Sequence, residues 1–205
     1  TLANLLTMSS GYFDGFLYPE WVSATTQQLQ WMPYTFPGGF FYNNSACHLN
    51  SHVLYYSTGM TPSEFAEINL FPYLGIENPP WFDGYNDIND GSASLTLTLR
   101  DMVKLGQLYL QNGYSGDNQV ISSDWIELAT SSQIFTGSAD LPNYGYLWWL
   151  FPEEGYVAVG YGGQLIAVFP ERNLVIGTHS YIYSSQLYLY QLLNSIYNDI
   201  VPLFE

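Results

Sequence analysis

The feature that most constrains this chain is a change of hydrophobic period near Asn143. Before it, apolar residues recur at helical spacing between capping residues. After it come short runs rich in aromatic and β-branched residues, which predict strands over 144–151, 156–159, 164–169 and 174–180. Pro170-Glu171-Arg172-Asn173 reads as a turn that joins the last two runs as an antiparallel hairpin. Ser184-Ser185 then caps a C-terminal helix with Leu189, Leu192, Leu193, Ile196 and Ile200 on one face, ended by Pro202. Helices first, then a sheet, then a helix is an α+β order. The mainly helical part is expected over 1–142 and the strands with the last helix over 143–205, together as one incomplete domain.

The helical part carries its own punctuation. A short helix with Leu2, Leu5 and Leu6 on one side ends at Ser9-Ser10-Gly11, and an aromatic loop and a weakly periodic helix over 19–32 follow. The next helix is expected over 45–56, with Ser45 as N-cap, Gly59 as stop, and Ala46, Leu49, Val53 and Tyr56 inward. Thr61-Pro62-Ser63-Glu64 is a capping box with proline at the first helical position, with Phe65 and Ile68 on one face behind it. Residues 77–94 read as a long surface loop. Thr98 and Asp101 form a second capping box before the stripe Met102, Leu105, Leu108 and Tyr109, which Asn112-Gly113 ends. A short helix over 122–130 carries Trp125.

Composition narrows the function classes. Arg100, Lys104 and Arg172 are the only cationic residues against 18 carboxylates, for a net charge of −15. No basic patch exists to displace counterions from nucleic acid, so that partner is excluded, and anionic membrane surfaces are disfavoured. No apolar run reaches the length of a membrane span. A base-poor surface fits a secreted, extracytoplasmic protein or one working at acid pH. Cys47 stands alone, so no internal disulfide forms, and it reads as a small buried apolar residue. The 19 tyrosines suit a Tyr-rich core, self-association or stacking on sugars.

Three stretches carry chemistry. Gly38-Gly39-Phe40-Phe41-Tyr42-Asn43-Asn44-Ser45 places a phenol and a carboxamide two residues apart where a loop meets a helix; Tyr42 suits a proton relay and Asn44 an orienting amide. The stretch also reads as ordinary turn and N-cap chemistry. Leu5-Leu6-Thr7-Met8-Ser9-Ser10-Gly11 precedes it, and Gly160-Tyr161-Gly162-Gly163-Gln164 lies between two predicted strands. In this order and spacing they resemble the serine β-lactamase and penicillin-binding-protein family, in its esterase and 6-aminohexanoate-oligomer hydrolase branch. Phe71-Pro72-Tyr73-Leu74-Gly75-Ile76 and the helix after Thr98 are similar to further stretches of that family.

The resemblance implies a β-lactamase/DD-peptidase-like α+β fold of which the chain covers about the last two-thirds. It implies acyl-serine hydrolysis of an ester, amide or β-lactam, without a cofactor. Tyr42 is then the proton relay and Asn44 the orienting amide. Gly162, Gly163 and Gln164 form the substrate strand, with the Gln164 N–H as one oxyanion donor. The family's Ser-x-x-Lys nucleophile is not among these residues: the one lysine, Lys104, has Asp101 three positions before it. It is expected upstream of Thr1 or on a second chain that completes the sheet. The alternative is a catalytically inactive structural or self-assembling protein with the same fold.

Other patterns are weaker. His48 and His52 lie four apart on one helix, a spacing that binds zinc, but no Glu or third ligand accompanies them, and a partly exposed polar face is expected there. His179 stands apart. Glu77, Asp83, Asp87 and Asp90 lack EF-hand spacing and suit a solvated loop. Asn43-Asn44-Ser45 is a glycosylation sequon, and a glycan on Asn43 would obstruct Asn44.

Overall fold

The computed structural model describes residues 1–11, 38–83, 87–180 and 186–204. The expected helix over 19–32, the aromatic loop before it and the Ser184-Ser185 cap lie outside them. The chain forms two compact units, Thr1–Leu97 and Thr98–Glu205.

The described part of the first unit is helical. Helices α1 (Leu2–Leu6), α2 (Asn44–Thr58), α3 (Pro62–Asn69) and α4 (Phe71–Leu74) follow in order. The capping box at Thr61 and Glu64 forms, with Pro62 in the first turn. Gly59 ends α2 at φ 74°, a left-handed conformation that glycine adopts without a Cβ penalty. Two expectations for α2 are corrected. Its N-cap is Asn43, not Ser45: the Asn43 side chain accepts from the Ala46 N–H at 2.8 Å. Its buried residues are Ser45, Ala46, His48, Leu49, Ser51 and His52, whereas Val53 and Tyr56 are exposed. The apolar period placed Ala46 and Leu49 inward as found but not Val53 and Tyr56, because the helix packs Ser45, His48, Ser51 and His52 inward as well. Ile68 of α3 is exposed too, and Ala66 is buried in its place. Loop 77–94 is not wholly a surface loop, since Ile88, Asn89 and Asp90 are buried.

The second unit contains the sheet. Strands β3 (Ile134–Phe135), β4 (Asn143–Tyr144), β5 (Trp149–Leu150), β6 (Tyr156–Val159), β7 (Leu165–Phe169) and β8 (Leu174–Thr178) pair antiparallel in sequence order. A separate hairpin joins β1 (Tyr114–Ser115) and β2 (Asn118–Gln119). The run expected as one strand over 144–151 is two strands, because the chain turns through Gly145 to Trp148, with Leu147 at φ 63° and the Gly145 N–H bonded to the Trp148 carbonyl. The 170–173 turn is a 3₁₀ turn ended by Asn173 at φ 48°.

Helix α5 (Leu99–Leu110) lies on one face of β7 and β8. Glycine permits this approach: a Cβ on Gly106 would stand 2.6 Å from Val175, and one on Gly177 would stand 2.7 Å from Val103. Thr98 caps α5 by accepting from the Asp101 N–H, and the Asp101 carboxylate meets the Thr98 hydroxyl, the Thr98 backbone and Lys104 Nζ. These contacts hold the Asp101 carboxyl below the usual carboxylate range, the Lys104 hydrogen bond first. Helix α6 (Ser123–Ala129) is capped by Ser122.

On the other face, Val157, Leu165, Ala167 and Phe169 pack with Leu193 of helix α7 (Gln186–Asn194) and with Ile196 and Val201 beyond it. Alternation along β7 sends Leu165, Ala167 and Phe169 to this side and Val168 to a cluster with Trp148, Leu150 and Tyr156. Desolvation in that cluster raises the Tyr156 phenol well above its ordinary value. After α7 the chain widens into a π-helix, Ser195–Ile200, in which Val201 N–H bonds to the Ile196 carbonyl. Ile196 and Val201, five apart, therefore share the buried face, and Ile200, expected inward, is exposed.

Candidate functional site

The Tyr42-x-Asn44 stretch is anchored by the first motif of the chain. After α1, Met8 takes φ 55° and is 1% exposed. Its carbonyl accepts from the Phe41 N–H at 2.8 Å, and that of Ser9 from the Gly38 N–H at 3.2 Å. The Ser9 hydroxyl lies 2.8 Å from Thr7 Oγ1 and accepts from Asn4 Nδ2 at 3.2 Å. The two stretches thus form one backbone-paired turn.

Asn43 has extended backbone, φ −147° and ψ 114°, and is 1% exposed. In extended chain, residues i and i+2 emerge on one side. Tyr42 and Asn44 are both exposed while Asn43 between them turns inward to cap α2. The sequence-predicted pair is therefore presented together. The sequon asparagine is committed to the interior, so in the folded chain its side chain is not offered to a glycan.

Behind this turn, α2 carries a buried polar chain that the sequence reading put at a partly exposed face. His48 and His52 are 0% and 4% exposed, and their Nε2 atoms lie 3.2 Å apart. The Gly91 N–H donates to His48 Nδ1 at 3.3 Å, and Asp90 Oδ1 lies 3.6 Å from the same nitrogen. With His48 Nδ1 accepting, its proton sits on Nε2 and points to His52. The His52 proton then sits on Nδ1, a buried atom with no hydrogen-bond partner among the described residues. Burial lowers the pKa of both imidazoles; for His48 the Asp90 carboxylate opposes this and His52 adds to it. The pair is a neutral strut between α2 and the 88–92 segment. Among the described residues no three His, Cys, Asp or Glu side chains cluster to hold a metal ion. Asp83 accepts from Asn89 Nδ2 at 2.7 Å, and Asp90 accepts from the Ser92 N–H and hydroxyl. Cys47 is half-buried.

The third motif is the turn between β6 and β7. The Gly160 N–H donates to the Gln164 carbonyl at 2.7 Å, and the Gly163 N–H to the Gly160 carbonyl at 3.1 Å. Gly163 sits at φ 84°. The Gln164 side chain stays within the turn region: Oε1 accepts from the Gly162 N–H at 3.0 Å and Nε2 donates to the Ser180 carbonyl at 3.1 Å. Tyr161, which the sequence reading gave no role, is 86% exposed. The peptide that joins it to Gly160 turns its carbonyl toward Gly163, so the Tyr161 N–H faces away from Gly163. Only the pairing of this hairpin reveals that amide. Tyr42 and Asn44 belong to the first unit, and Gly162, Gly163 and Gln164 to the second.

A helical unit with a Tyr-x-Asn turn, followed by an antiparallel sheet with a Gly-rich hairpin and helices on both faces, defines an α+β protein of the β-lactamase and penicillin-binding-protein class. The chain belongs to the beta-lactamase family, whose model matches residues 1–180. It is similar to a protein from Bacillus anthracis described as a 6-aminohexanoate-dimer hydrolase, with 22% identity and TM-score 0.76 over 98% of this chain and 60% of that one. It is similar to a penicillin-binding protein from Bacillus halodurans, with 19% identity and TM-score 0.71 over 95% of this chain and 70% of that one. A mutant simvastatin synthase from Aspergillus terreus shares 14% identity and TM-score 0.72, over 100% of this chain and 67% of that one. The chain thus spans 60% of the length of the first of these structures. No curated protein sequence matches it. Among the described residues no helix is long and apolar enough to cross a membrane.

Proposed function

We propose that the chain is the substrate-orienting part of an extracytoplasmic serine hydrolase, cleaving an ester, amide or β-lactam through an acyl-serine. The observation that carries this reading is the paired exposure of Tyr42 and Asn44 on a turn braced by the Met8 and Ser9 carbonyls, within a chain of this family. Tyr42 relays the proton of the attacking serine, and Asn44 aligns the substrate's amide or acyl group. The 160–164 turn supplies a backbone donor to the developing oxyanion, from the Gln164 N–H that the resemblance implies or from the outward Tyr161 N–H. The serine hydroxyl adds to the carbonyl carbon, its proton passes to the relay and on to the leaving group, and water then releases the acid. The nucleophile and its lysine come from residues outside these 205, on the same polypeptide or a second chain completing the sheet.

The test is acylation of the natural full-length polypeptide by a fluorophosphonate or a penicillin, read by intact mass and peptide mapping. One adduct is expected, on a serine three residues before a lysine, and Tyr42→Phe slows its formation by about a hundredfold. A natural polypeptide without Ser-x-x-Lys and without a co-purifying fragment, or one that carries the motif yet stays unlabelled, ends the hydrolase reading. The assembly reading then takes its place, and the exposed Phe135 and Tyr161 are the first surfaces to probe for self-association.

A further inference from the structure

We propose that Thr178 and Ser180, at and just beyond the end of β8, are positioning residues for the 160–164 turn, their hydroxyls fixing which way its amide N–H groups face. The inference deepens, and rests on, the reading of that turn as the donor edge for acyl transfer.

A trans peptide is planar, so its carbonyl and its N–H point in opposite directions. The Ser180 hydroxyl donates to the Gly162 carbonyl at 3.0 Å and lies 3.3 Å from that of Gly163. The N–H of the Gly162–Gly163 peptide therefore faces away from Ser180, and it is the group that donates to the Gly160 carbonyl. That bond turns the Gly160 carbonyl inward and the Tyr161 N–H outward. Two peptide planes thus connect the Ser180 hydroxyl to the direction of the Tyr161 amide. Thr178 acts on the next plane: its hydroxyl donates to the Gly163 carbonyl at 2.8 Å, which sends the Gln164 N–H away from β8. The Gln164 carboxamide closes the network between Gly162 and Ser180.

Glycine makes this bracing necessary. Gly160, Gly162 and Gly163 lack the Cβ that would restrict their dihedrals, and a Cβ on Gly162 would meet the Gln164 carboxamide at 2.8 Å. A turn free to rotate its peptide planes holds a donor direction only if hydrogen bonds fix it. Preorganised donors matter because they need no reorientation as charge develops.

The experiment compares Ser180→Ala, Thr178→Val and the hydroxyl-preserving Thr178→Ser in the natural full-length polypeptide. It reads fluorophosphonate acylation against probe concentration and the ¹⁵N–¹H resonances of Tyr161, Gly163 and Gln164. Ser180→Ala and Thr178→Val are expected to lower the maximal acylation rate about tenfold, with the half-saturating concentration within about twofold. Both move the three amide resonances, and Thr178→Ser restores rate and resonances. Resonances that stay in place in both variants overturn the proposal, whether or not the protein acylates. Resonances that move while the acylation rate holds overturn it too. A wild type that carries Ser-x-x-Lys but is never acylated, with the resonances still moving in the variants, sinks the acyl-transfer reading and leaves the control of amide direction standing.

Discussion

Helix α2 and strand β7 bury their inner faces by opposite means. Strand β7 presents Leu165, Ala167, Val168 and Phe169, all 0% exposed, to clusters of aliphatic and aromatic side chains on both sides. Its stabilisation scales with apolar area and is indifferent to pH. Helix α2 turns Ser45, His48, Ser51 and His52 inward, and His48 holds the 88–92 segment through the Gly91 N–H. Its burial depends on directed bonds and on two imidazoles staying neutral. The unit that carries the Tyr-x-Asn turn is therefore tuned by protonation and the sheet unit by volume. A buried polar group is costly when its partner is lost, which makes α2 the more specific and the less tolerant of the two.

The sharpest way to break this contrast is in the sheet. Phe169 stacks on Phe151 at 5.2 Å and lies 6.4 Å from Tyr197. Phe169→Ala is expected to cost about 3–5 kcal/mol, read as a shift of the urea midpoint, equal at pH 7.5 and pH 5.5. A pH-dependent cost would dissolve the comparison.

The second effect belongs to α2. The His48 and His52 pKa values are lowered in the folded chain from an ordinary 6.5. The unfolded chain thus takes up protons first on acidification, and stability is lost as pH falls through about 6.5. Hydrogen exchange, corrected for intrinsic rates, should show protection of 44–58 dropping between pH 7.5 and pH 5.5 while 165–169 holds. Among the described residues Asp90, His52 and the Gly91 amide face His48, so Asp90→Asn removes a contact that favours the charged form and should deepen the loss below about pH 6.5. His48→Leu costs about 1–3 kcal/mol at pH 7.5, through the orphaned Gly91 amide, and flattens the pH response. A 44–58 segment whose protection ignores pH in the wild type contradicts the strut.

The smallest effect refines where α2 begins. Asn43→Ala removes the cap bonded to the Ala46 N–H and should cost about 1 kcal/mol by thermal unfolding, whereas Ser45→Ala costs less. The reverse order would restore Ser45 as the cap.

The local punctuation was legible in the chain. Thr61, Thr98 and Ser122 cap their helices as side chains of their type do, and Pro170 to Asn173 turns where the spacing placed a hairpin. Caps and turns depend on neighbours within a few residues, so sequence carries them. The register of α2 was not legible, because its inward face is chosen by Gly91 and Asp90, some forty residues away. Nor was the division of 144–151 into two strands, since aromatic runs do not reveal a turn through Leu147 at positive φ. Of the site, Tyr42 and Asn44 were readable as types and spacing; that Asn43 faces inward and the pair outward follows from the helix start.

The amino-acid sequence by itself determined the α+β order, the family and the residue types at the three motifs, because these rest on period, capping chemistry and short spacings. Only the tertiary structure decided that the Met8 turn braces Tyr42, that His48 and His52 are buried against the 88–92 segment, and that Ser180 and Thr178 aim the amides of the Gly-rich turn. Each of these is a hydrogen bond between groups distant in the chain, and its direction is set by peptide planes and side chains that meet only once the elements have packed.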